Sequence, residues 1–381
     1  MSRLFTIEAT CAFGLESLVA DELKELGCQN LIKNNGSVRF QGDWKAVCQA
    51  NIWLRCADRI RIILSSFQAR DFETLFQQVK KINWETLLPV DALFPVGAKS
   101  IRSELHSTPH IQSIVKKAIV ERLKQHYQVD WFEEKGAAYA IEAEILKDNV
   151  TIVLDTSGSG LNKRGYRKSA GETPIKETLA AAMIYLSRWR PERPLVDPMC
   201  GSGTILIEAA QIGLNIAPGL NREFASEHWK CIDPALWQRV RQEARQARKQ
   251  DCSFRLQGFD NDSRVIQGAR SNGLYADVSE YIHFQNGELA DFSTQKKYGY
   301  MVSNPPYGER SEDEQTVIAI EKTVGAIMKA HPTWSYYFLT SHEDFEKYVG
   351  KKATKNRKLY NGRIKCYYYQ YYGPRPPVRR S

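Results

Sequence analysis

A glycine turn between an apolar strand and a helix is the feature of this chain that most restricts its fold. The segment Leu195–Thr204 runs Leu-Val-Asp-Pro-Met-Cys-Gly-Ser-Gly-Thr, and the apolar and small residues 205–210 continue it as a predicted helix. A strand that turns at glycines directly into a helix brings backbone N–H groups and the helix N-terminus towards a ligand. The pattern therefore predicts an open α/β sheet that binds a ligand at the carboxyl ends of its strands.

The residues of this turn indicate which ligand it suits. The turn lacks the Gly-Lys-Ser/Thr ending of a phosphate-binding loop and the Gly-x-Gly-x-x-Gly spacing of a dinucleotide site. Asp197 stands just before the turn, where its negative charge disfavours a pyrophosphate and favours a cationic group. The amino group of a methionine moiety fits that description.

Further acidic residues follow the next two predicted strands. Asp260 ends the strand 254–260, where it is placed to bind ribose hydroxyls as acids do in related nucleotide folds. Glu288 lies in the loop 286–292 after a short strand, from which it could reach an adenine amine. Each acid alone is more often a turn or capping residue than a ligand. Their succession at strand ends favours a single site, because open α/β sheets bind ligands outside those ends.

The apolar strand 300–303 ends in Asn304-Pro305-Pro306-Tyr307. The Asn304 amide oxygen and the Pro305 carbonyl can accept hydrogen bonds from an exocyclic NH2, and neither proline competes as a donor. The Tyr307 ring can stack on the base that carries this amine. The alternative is a turn that only ends the strand, since proline biases its predecessor towards extended backbone.

The N-terminal half predicts two small α+β modules. A β-α-β-α-β order over residues 1–66 indicates a ferredoxin-like module, and residues 67–156 form a second one. The remaining residues, 157–381, contain the glycine turn and Asn304 and are expected to form the catalytic domain. No role follows from the sequence for the insertion 213–250, which contains Trp229 and Trp237.

The loop 155–168 between these parts is rich in glycine and then basic. It is either an interdomain linker or a loop over the active site. In the second case Arg164, Arg167 and Lys168 would face phosphates.

Composition limits the class of protein only broadly. The 381 residues carry a net charge of +9 and eight scattered cysteines without a Cys-x-x-Cys pair, which indicates neither a zinc cluster nor a disulfide framework. No stretch reaches the roughly 20 apolar residues of a membrane span, so a cytoplasmic protein without a membrane partner is expected. The basic charge is compatible with a polyanionic partner such as nucleic acid.

Taken together, Asp-Pro-Met-Cys-Gly-Ser-Gly-Thr, Gly-Phe-Asp and Ser-Asn-Pro-Pro-Tyr-Gly resemble the class I S-adenosylmethionine-dependent amino-methyltransferases. The two N-terminal modules, the Leu-Asn-Lys-Arg-Gly-Tyr-Arg loop and Pro-Ile-Lys-Glu-Thr-Leu-Ala-Ala-Ala narrow the resemblance to the THUMP-containing RNA methyltransferases. Within these, the chain is most similar to the bacterial family that methylates guanine N2 of 23S ribosomal RNA. Adenine-specific enzymes share Asn-Pro-Pro-Tyr, so members of this family are often labelled N6-adenine-specific DNA methylases.

The resemblance implies a fold, a cofactor and a partner. The fold is a Rossmann-like class I methyltransferase domain after the ferredoxin-like and THUMP modules, the cofactor is S-adenosylmethionine, and the partner is 23S rRNA or a large-subunit precursor. Neither a metal nor a covalent cysteine is implied. An adenine-N6 methyltransferase acting on RNA or DNA and a non-catalytic RNA-binding assembly factor remain as alternatives.

The resemblance also assigns roles to particular residues. Glu288 is the least typical of them, because the family more often has Asp at the adenine-contacting position. The implied residues are, for the cofactor, Asp197, Cys200, Gly201, Gly203, Thr204, Asp260 and Glu288; for the target base, Asn304, Pro305, Pro306 and Tyr307; and for substrate RNA, Arg164, Arg167 and Lys168.

Overall fold

The computed structural model describes residues 4–167, 175–250, 252–307 and 314–377. The chain divides into two compact units, and both are discontinuous in sequence. The first consists of Met1–Cys11, Val19–Leu161 and Arg222–Ala244, and the second of Ala12–Leu18, Asn162–Asn221 and Arg245–Ser381.

The first unit is built on one sheet with the strand order β2-β3-β1-β4-β7-β6-β5. The strands are β1 (Phe5–Cys11), β2 (Ile32–Asn34), β3 (Ser37–Gly42), β4 (Ala57–Gln68), β5 (Val96–Ile101), β6 (Ala140–Leu146) and β7 (Asn149–Asp155). The first four helices of the chain are α1 (Glu16–Glu25), α2 (Trp44–Trp53), α3 (Phe72–Lys80) and α4 (Thr108–Tyr127). The carboxylates of Asp43 and Asp71 cap α2 and α3 by accepting from backbone N–H groups of the first turn.

The two modules expected in the N-terminal half share this sheet. Strand β4 pairs with β1 on one side and with β7 on the other, both antiparallel. Strand β4 has 12 residues, of which 57–63 pair with β1 and 61–68 pair with β7. A ferredoxin-like part and a second α+β part are therefore joined through one continuous set of backbone hydrogen bonds.

The sequence insertion after residue 213 contributes a segment to this first unit. The Trp229 indole stacks on the Tyr139 ring, with centroids 4.7 Å apart, and its Nε1–H donates to the Ala138 carbonyl at 2.9 Å. The backbone N–H of Ser226 donates to the Thr156 carbonyl at 3.1 Å. Residues 222–244, which include most of helix α7 (Pro234–Gln246), thus pack on the N-terminal unit.

The second unit has a sheet in the order β10-β9-β8-β11-β12-β14-β13. Strands β8 to β12 run parallel to their neighbours within that group, whereas β14 is antiparallel to both β12 and β13. The strands are β8 (Leu195–Asp197), β9 (Leu256–Asp260), β10 (Ile282–Asn286), β11 (Tyr300–Ser303), β12 (Ser335–Thr340), β13 (Lys355–Asn361) and β14 (Ile364–Tyr371). The helices are α5 (Glu177–Ser187), α6 (Thr204–Gly213), α8 (Ser263–Tyr275), α9 (Glu314–Ala330) and α10 (Phe345–Val349).

This arrangement confirms the predicted α/β class and the Rossmann-like sheet, which ends in the antiparallel strands β13 and β14. Because β8, β9, β10 and β11 are parallel, their carboxyl ends lie at one edge of the sheet. Among the helices of the described residues, none is both long enough and apolar enough to span a membrane.

Candidate active site

Asp197, the last residue of β8, is a buried acid at this edge of the sheet. It is 1% exposed, and its Oδ1 accepts from the Ser303 hydroxyl at 2.6 Å and from the Met199 N–H at 3.2 Å. Burial raises the pKa of Asp197 to about 7, although these two hydrogen bonds lower it. Across the described residues, no cationic side chain pairs with this carboxyl group. The site can therefore accept a cation from a ligand.

The glycine turn that follows takes backbone conformations suited to glycine. Gly201 and Gly203 have φ angles of 51° and 79°. A Cβ atom on Gly201 would meet no atom within 4 Å, whereas one on Gly203 would lie 2.6 Å from the Phe284 ring. Gly203 thus permits close packing of α6 against β10, and Gly201 faces open space where a ligand could approach the backbone.

Asp260, at the end of β9, ties the turn to the neighbouring strand. Its carboxylate accepts from the Gly201 N–H at 2.9 Å and from the Asp262 N–H at 3.1 Å. The Cys200 N–H donates to the Phe259 carbonyl at 2.8 Å. Since a carboxylate has about four lone-pair sites, the half-buried Asp260 keeps capacity to accept from a ligand hydroxyl.

Glu288 lies in the loop after β10. The loop is fixed to β9, because the Gly287 N–H and the Asn286 side-chain amide both donate to the Asp260 carbonyl, at 3.1 and 2.9 Å. The Glu288 side chain is exposed. The structure therefore brings the backbone of this loop to the same edge as Asp260 and leaves the Glu288 carboxylate at the surface.

Asn304 follows β11 directly, next to Ser303 and its hydrogen bond to Asp197. The Tyr307 hydroxyl donates to the Asn304 Oδ1 at 2.5 Å, and the Asn361 side-chain amide lies 3.5 Å from that hydroxyl. Burial, together with the nearby Cys366, raises the pKa of the Tyr307 hydroxyl well above its usual value, so it remains a protonated donor at neutral pH.

Sequence reasoning missed three residues around this group. Ser303 holds Asp197, and Asn361 and Cys366 come from the β13–β14 hairpin. In the sequence, the Asn-Gly pair at 361–362 predicts a hairpin turn, but a period-2 pattern does not say which neighbour a turn residue will meet. Of the two prolines, Pro305 is buried and Pro306 is exposed.

The structure does not place Arg164 where a phosphate could reach it. Its side chain is 2% exposed and forms an ion pair with the fully buried Glu208, with 3.4 Å between Nε and Oε1. The Tyr166 hydroxyl donates to the same carboxylate at 3.1 Å. The expectation that Arg164 faces RNA is therefore wrong, and the physical reason is that a buried carboxylate needs a paired cation.

Arg167 is half-buried and contacts the glycine turn. Its Nη2 donates to the Thr204 hydroxyl and to the Ile175 carbonyl, both at 2.8 Å, and it lies 3.4 Å from the Glu177 carboxylate. Thr204 also exchanges a hydrogen bond with Ser202 at 3.0 Å. The basic loop is therefore part of the support for the turn. Lys168 lies outside the described residues.

Comparison with known families identifies three domains in this chain. Residues 164–370 match the model of the RMKL-like methyltransferase domain, residues 6–61 match the RlmL ferredoxin-like domain, and residues 69–155 match the THUMP domain.

Individual relatives extend over the whole chain. "Putative RNA methyltransferase YpsC" of Bacillus subtilis is 48% identical over 381 residues, which is 100% of this chain and 99% of that protein. A solved structure described as a "predicted N6-adenine-specific DNA methylase" from Listeria monocytogenes is 48% identical with a TM-score of 0.94, and covers 98% of this chain and 97% of its own. SMU.472, described as "a putative methyltransferase complexed with SAH", is 45% identical with a TM-score of 0.94, and covers 99% and 100%.

The residues of this chain fit S-adenosylmethionine as a cofactor. A buried acid with a raised pKa suits an ammonium group, and the open space at Gly201 lets a ligand approach the backbone of the turn. The match in family and the relative crystallised with SAH lead to the same cofactor. The chain belongs to the RMKL-like methyltransferase family, with ferredoxin-like and THUMP domains before the methyltransferase domain, and it uses S-adenosylmethionine.

Proposed function

We propose that this protein methylates an exocyclic amine of an RNA base, namely guanine N2 in 23S rRNA or a large-subunit precursor, in the cytoplasm. The observation that carries the proposal is the position of Asn304. Its amide follows β11 at the same sheet edge as Asp197 on β8, and the Ser303–Asp197 hydrogen bond of 2.6 Å joins the two strand ends. A group that can hold an amine thus stands beside a group that can hold the cofactor.

The cofactor-binding roles follow from the chemistry of each position. Asp197 would take the amino group of the methionine moiety, because burial disfavours its ionised form and an incoming ammonium group would stabilise that form. Asp260 would accept from the ribose hydroxyls and Glu288 from the adenine amine. The turn itself, Cys200, Gly201, Gly203 and Thr204, would approach the methionine end through its backbone.

The bound cofactor supplies an electrophilic methyl group on a sulfonium centre. The protein must then hold a weakly nucleophilic amine in line with that group, and most of the acceleration comes from this positioning. The Asn304 Oδ1 and the Pro305 carbonyl accept the amine hydrogens, which keeps the nitrogen lone pair directed at the methyl group. The Tyr307 ring stacks on the base, and Pro306 shapes the turn between them.

RNA is the favoured substrate for two reasons. The chain contains a THUMP domain match, and its relative YpsC, which is alike over the full length, is named as an RNA methyltransferase. The net charge of +9 is compatible with a phosphate backbone. Arg164 is buried and Arg167 contacts the glycine turn. Of the three basic residues assigned to RNA, Lys168 therefore remains the candidate for a phosphate contact.

A second candidate function is adenine-N6 methylation of RNA or DNA. It is favoured by the Asn-Pro-Pro-Tyr group and by the name given to the relative from Listeria monocytogenes. The pocket chemistry is the same for both amines, and only the identity of the base differs. A non-catalytic assembly factor is disfavoured by the presence of Asp197, Asp260 and Asn304.

The test is methyl transfer to ribosomal RNA from a strain that lacks the gene. The purified protein is incubated with this RNA and labelled S-adenosylmethionine, the RNA is digested, and the labelled nucleoside is identified by mass spectrometry. N2-methylguanosine is expected. N6-methyladenosine would refute the choice of base, and label in DNA but not in RNA would refute the substrate.

Asn304→Ala is the matched loss-of-function variant. We expect its kcat to fall about 10²- to 10³-fold, as when one preorganised hydrogen-bonding group is removed, with the cofactor Kd unchanged. Asn356→Ala changes an exposed asparagine of β13 and serves as the control. Near-normal kcat in Asn304→Ala would contradict the assigned mechanism.

A further inference from the structure

The Tyr307 hydroxyl is enclosed by groups from two parts of the second unit. It donates to the Asn304 Oδ1 at 2.5 Å. It also interacts with the side-chain amide of Asn361, at 3.5 Å, and with the thiol of Cys366. Asn361 and Cys366 belong to the β13–β14 hairpin, so the last hairpin of the sheet reaches the group that follows β11.

These contacts give the hydrogen bonds a direction. The Asn361 Nδ2 is a donor only, so the Tyr307 oxygen accepts from it and has its single hydrogen left for another acceptor. That acceptor is the Asn304 Oδ1. The order is therefore Asn361 N–H to Tyr307 O–H to Asn304 oxygen. Hydrogen bonds in such a chain polarise one another in a low-dielectric setting. The bond from Asn361 to Tyr307 is long at 3.5 Å, as is common for hydrogen bonds in a catalytic site without substrate.

The direction matters for the orientation of Asn304. An amide oxygen has two lone-pair sites, and the Tyr307 hydroxyl engages one of them. That bond holds the amide plane with its oxygen towards Tyr307 and disfavours the flipped amide, in which two N–H donors would meet the hydroxyl. The second lone-pair site remains for the hydrogen of a target amine.

The hairpin is well suited to hold Asn361. The residue is 7% exposed and pairs with Ile364 across the turn, and the Gly362 φ of 63° lets the turn close. Cys366 is fully buried on the partner strand, where it pairs with Leu359. Asn361 therefore presents its amide from a backbone fixed by cross-strand hydrogen bonds.

We propose that Asn361 is a positioning residue for methyl transfer, which acts through the Tyr307 hydroxyl to hold the Asn304 amide oxygen in the orientation that accepts the target amine. The proposal deepens the function given above and rests on it. It assigns the β13–β14 hairpin to the active site and gives Tyr307 a second role besides stacking, through its hydroxyl.

The kinetic test compares Tyr307→Phe, Asn361→Asp and the double variant, with Asn356→Ala as the control. Tyr307→Phe keeps the ring and removes the donor. Asn361→Asp keeps the size and the turn preference, but its carboxylate would accept the Tyr307 hydrogen and take it from Asn304. We expect each single variant to lose about ten- to a hundredfold in kcat, the scale of a misplaced reacting group, with unchanged Kd values for cofactor and RNA.

Non-additivity separates positioning from a merely structural role. The double variant should be no slower than Tyr307→Phe alone, because the hydroxyl through which Asn361 acts is already gone. Multiplicative losses, or a fall in cofactor affinity in Asn361→Asp, would overturn the proposal. Asn361→Ser replaces the amide donor with a hydroxyl donor and suits the turn. It should retain more kcat than Asn361→Asp and replaces that variant if Asn361→Asp does not fold.

A second measurement does not depend on turnover. Asparagine side chains are labelled with ¹⁵N, and the Asn304 amide signals are identified by their loss in Asn304→Ala, in protein with cofactor and without RNA. They should shift in Tyr307→Phe and Asn361→Asp and stay in place in Asn356→Ala. Signals that do not move would refute the hydrogen-bond chain. Shifted signals in a protein that methylates no RNA would instead refute the proposed function alone.

Discussion

At the scale of single residues, the ionisation of Asp197 links cofactor binding to pH. The pKa of this buried acid is about 7, so near neutral pH it is divided between its two forms. A cationic amino group binds the ionised form. We expect the affinity for S-adenosylmethionine to rise with pH up to about 7 and then level off, with up to tenfold weaker binding per pH unit below that value. Isothermal titration from about pH 5.5 to about pH 8.5 brackets this pKa and measures the trend.

Asp197→Asn is the control for that trend. It should bind the cofactor weakly and without the same pH dependence, and a slope that persisted in this variant would assign the titration to another group.

The raised pKa of Asp197 also affects the stability of the protein. The folded chain keeps a proton that the unfolded chain releases above about pH 4. Asp197 therefore lowers the stability of the cofactor-free protein as pH rises from about 4 to about 7.

The structure places Arg164 in a buried ion pair with Glu208, although the sequence suggested a contact with RNA. Arg164→Met leaves Glu208 as an uncompensated buried charge, and this should reduce the free energy of unfolding by about 3–5 kcal/mol. Arg164→Met combined with Glu208→Gln should recover most of that loss. Urea unfolding measures both.

The matched surface control is Arg264→Met, because the Arg264 side chain is 89% exposed. It should leave the unfolding midpoint unchanged. If Arg164→Met also kept its midpoint and instead lost salt-dependent affinity for RNA, the buried ion pair would not be the role of Arg164.

At the scale of elements, the two glycines of the turn between β8 and α6 should respond differently to substitution. Gly203→Ala combines a positive φ with a contact of 2.6 Å to Phe284, so we expect a loss of about 2–4 kcal/mol in the free energy of unfolding. Gly201→Ala meets no atom within 4 Å, and only its φ is unfavourable, which predicts a loss of about 1–2 kcal/mol.

The two glycine variants should also differ in their affinity for the cofactor. The methyl group of Gly201→Ala enters the open space at the turn, so this variant should lose cofactor affinity out of proportion to its small loss of stability. Unfolding and isothermal titration on both variants measure the two effects. Equal losses of stability, or unimpaired binding in Gly201→Ala, would contradict the assigned roles.

The same elements show what the sequence could predict. Local patterns were sufficient for the glycine turn, for the strand before Asn304 and for the convergence of Asp197 and Asp260, because parallel strands place their carboxyl ends at one edge. Contacts between residues far apart in sequence were not predictable. The Arg164–Glu208 pair and the approach of Asn361 to Tyr307 depend on the packing of side chains across elements, which no periodicity encodes.

At the scale of the whole molecule, sequence order and spatial order differ. Residues 222–244 lie between α6 and β9 in the chain, yet they pack on the first unit. Their contacts there include the Lys230–Asp91 ion pair and the stacking of Trp229 on Tyr139. The central part of the insertion 213–250, for which the sequence suggests no role, is therefore a structural part of the unit with the ferredoxin-like and THUMP domains.

Trp229 tests this assignment. It is 1% exposed, stacks on Tyr139 and donates its indole N–H to Ala138, so Trp229→Ala removes a large buried ring and leaves a carbonyl without its donor. We expect a loss of about 3–5 kcal/mol in the stability of the first unit. Trp229→Phe keeps a ring on Tyr139 and should lose less.

Native-state hydrogen exchange resolves where the loss falls. Amides of β6, which begins one residue after Tyr139, should exchange faster in Trp229→Ala, whereas amides of β9 in the second unit should keep their protection. Faster exchange in β9 with unchanged protection in β6 would mean that the segment stabilises the methyltransferase sheet instead. The expected pattern would establish that residues 222–244, which lie within the methyltransferase part of the sequence, are needed for the stability of the N-terminal unit. A domain boundary drawn by sequence order alone would separate them from that unit.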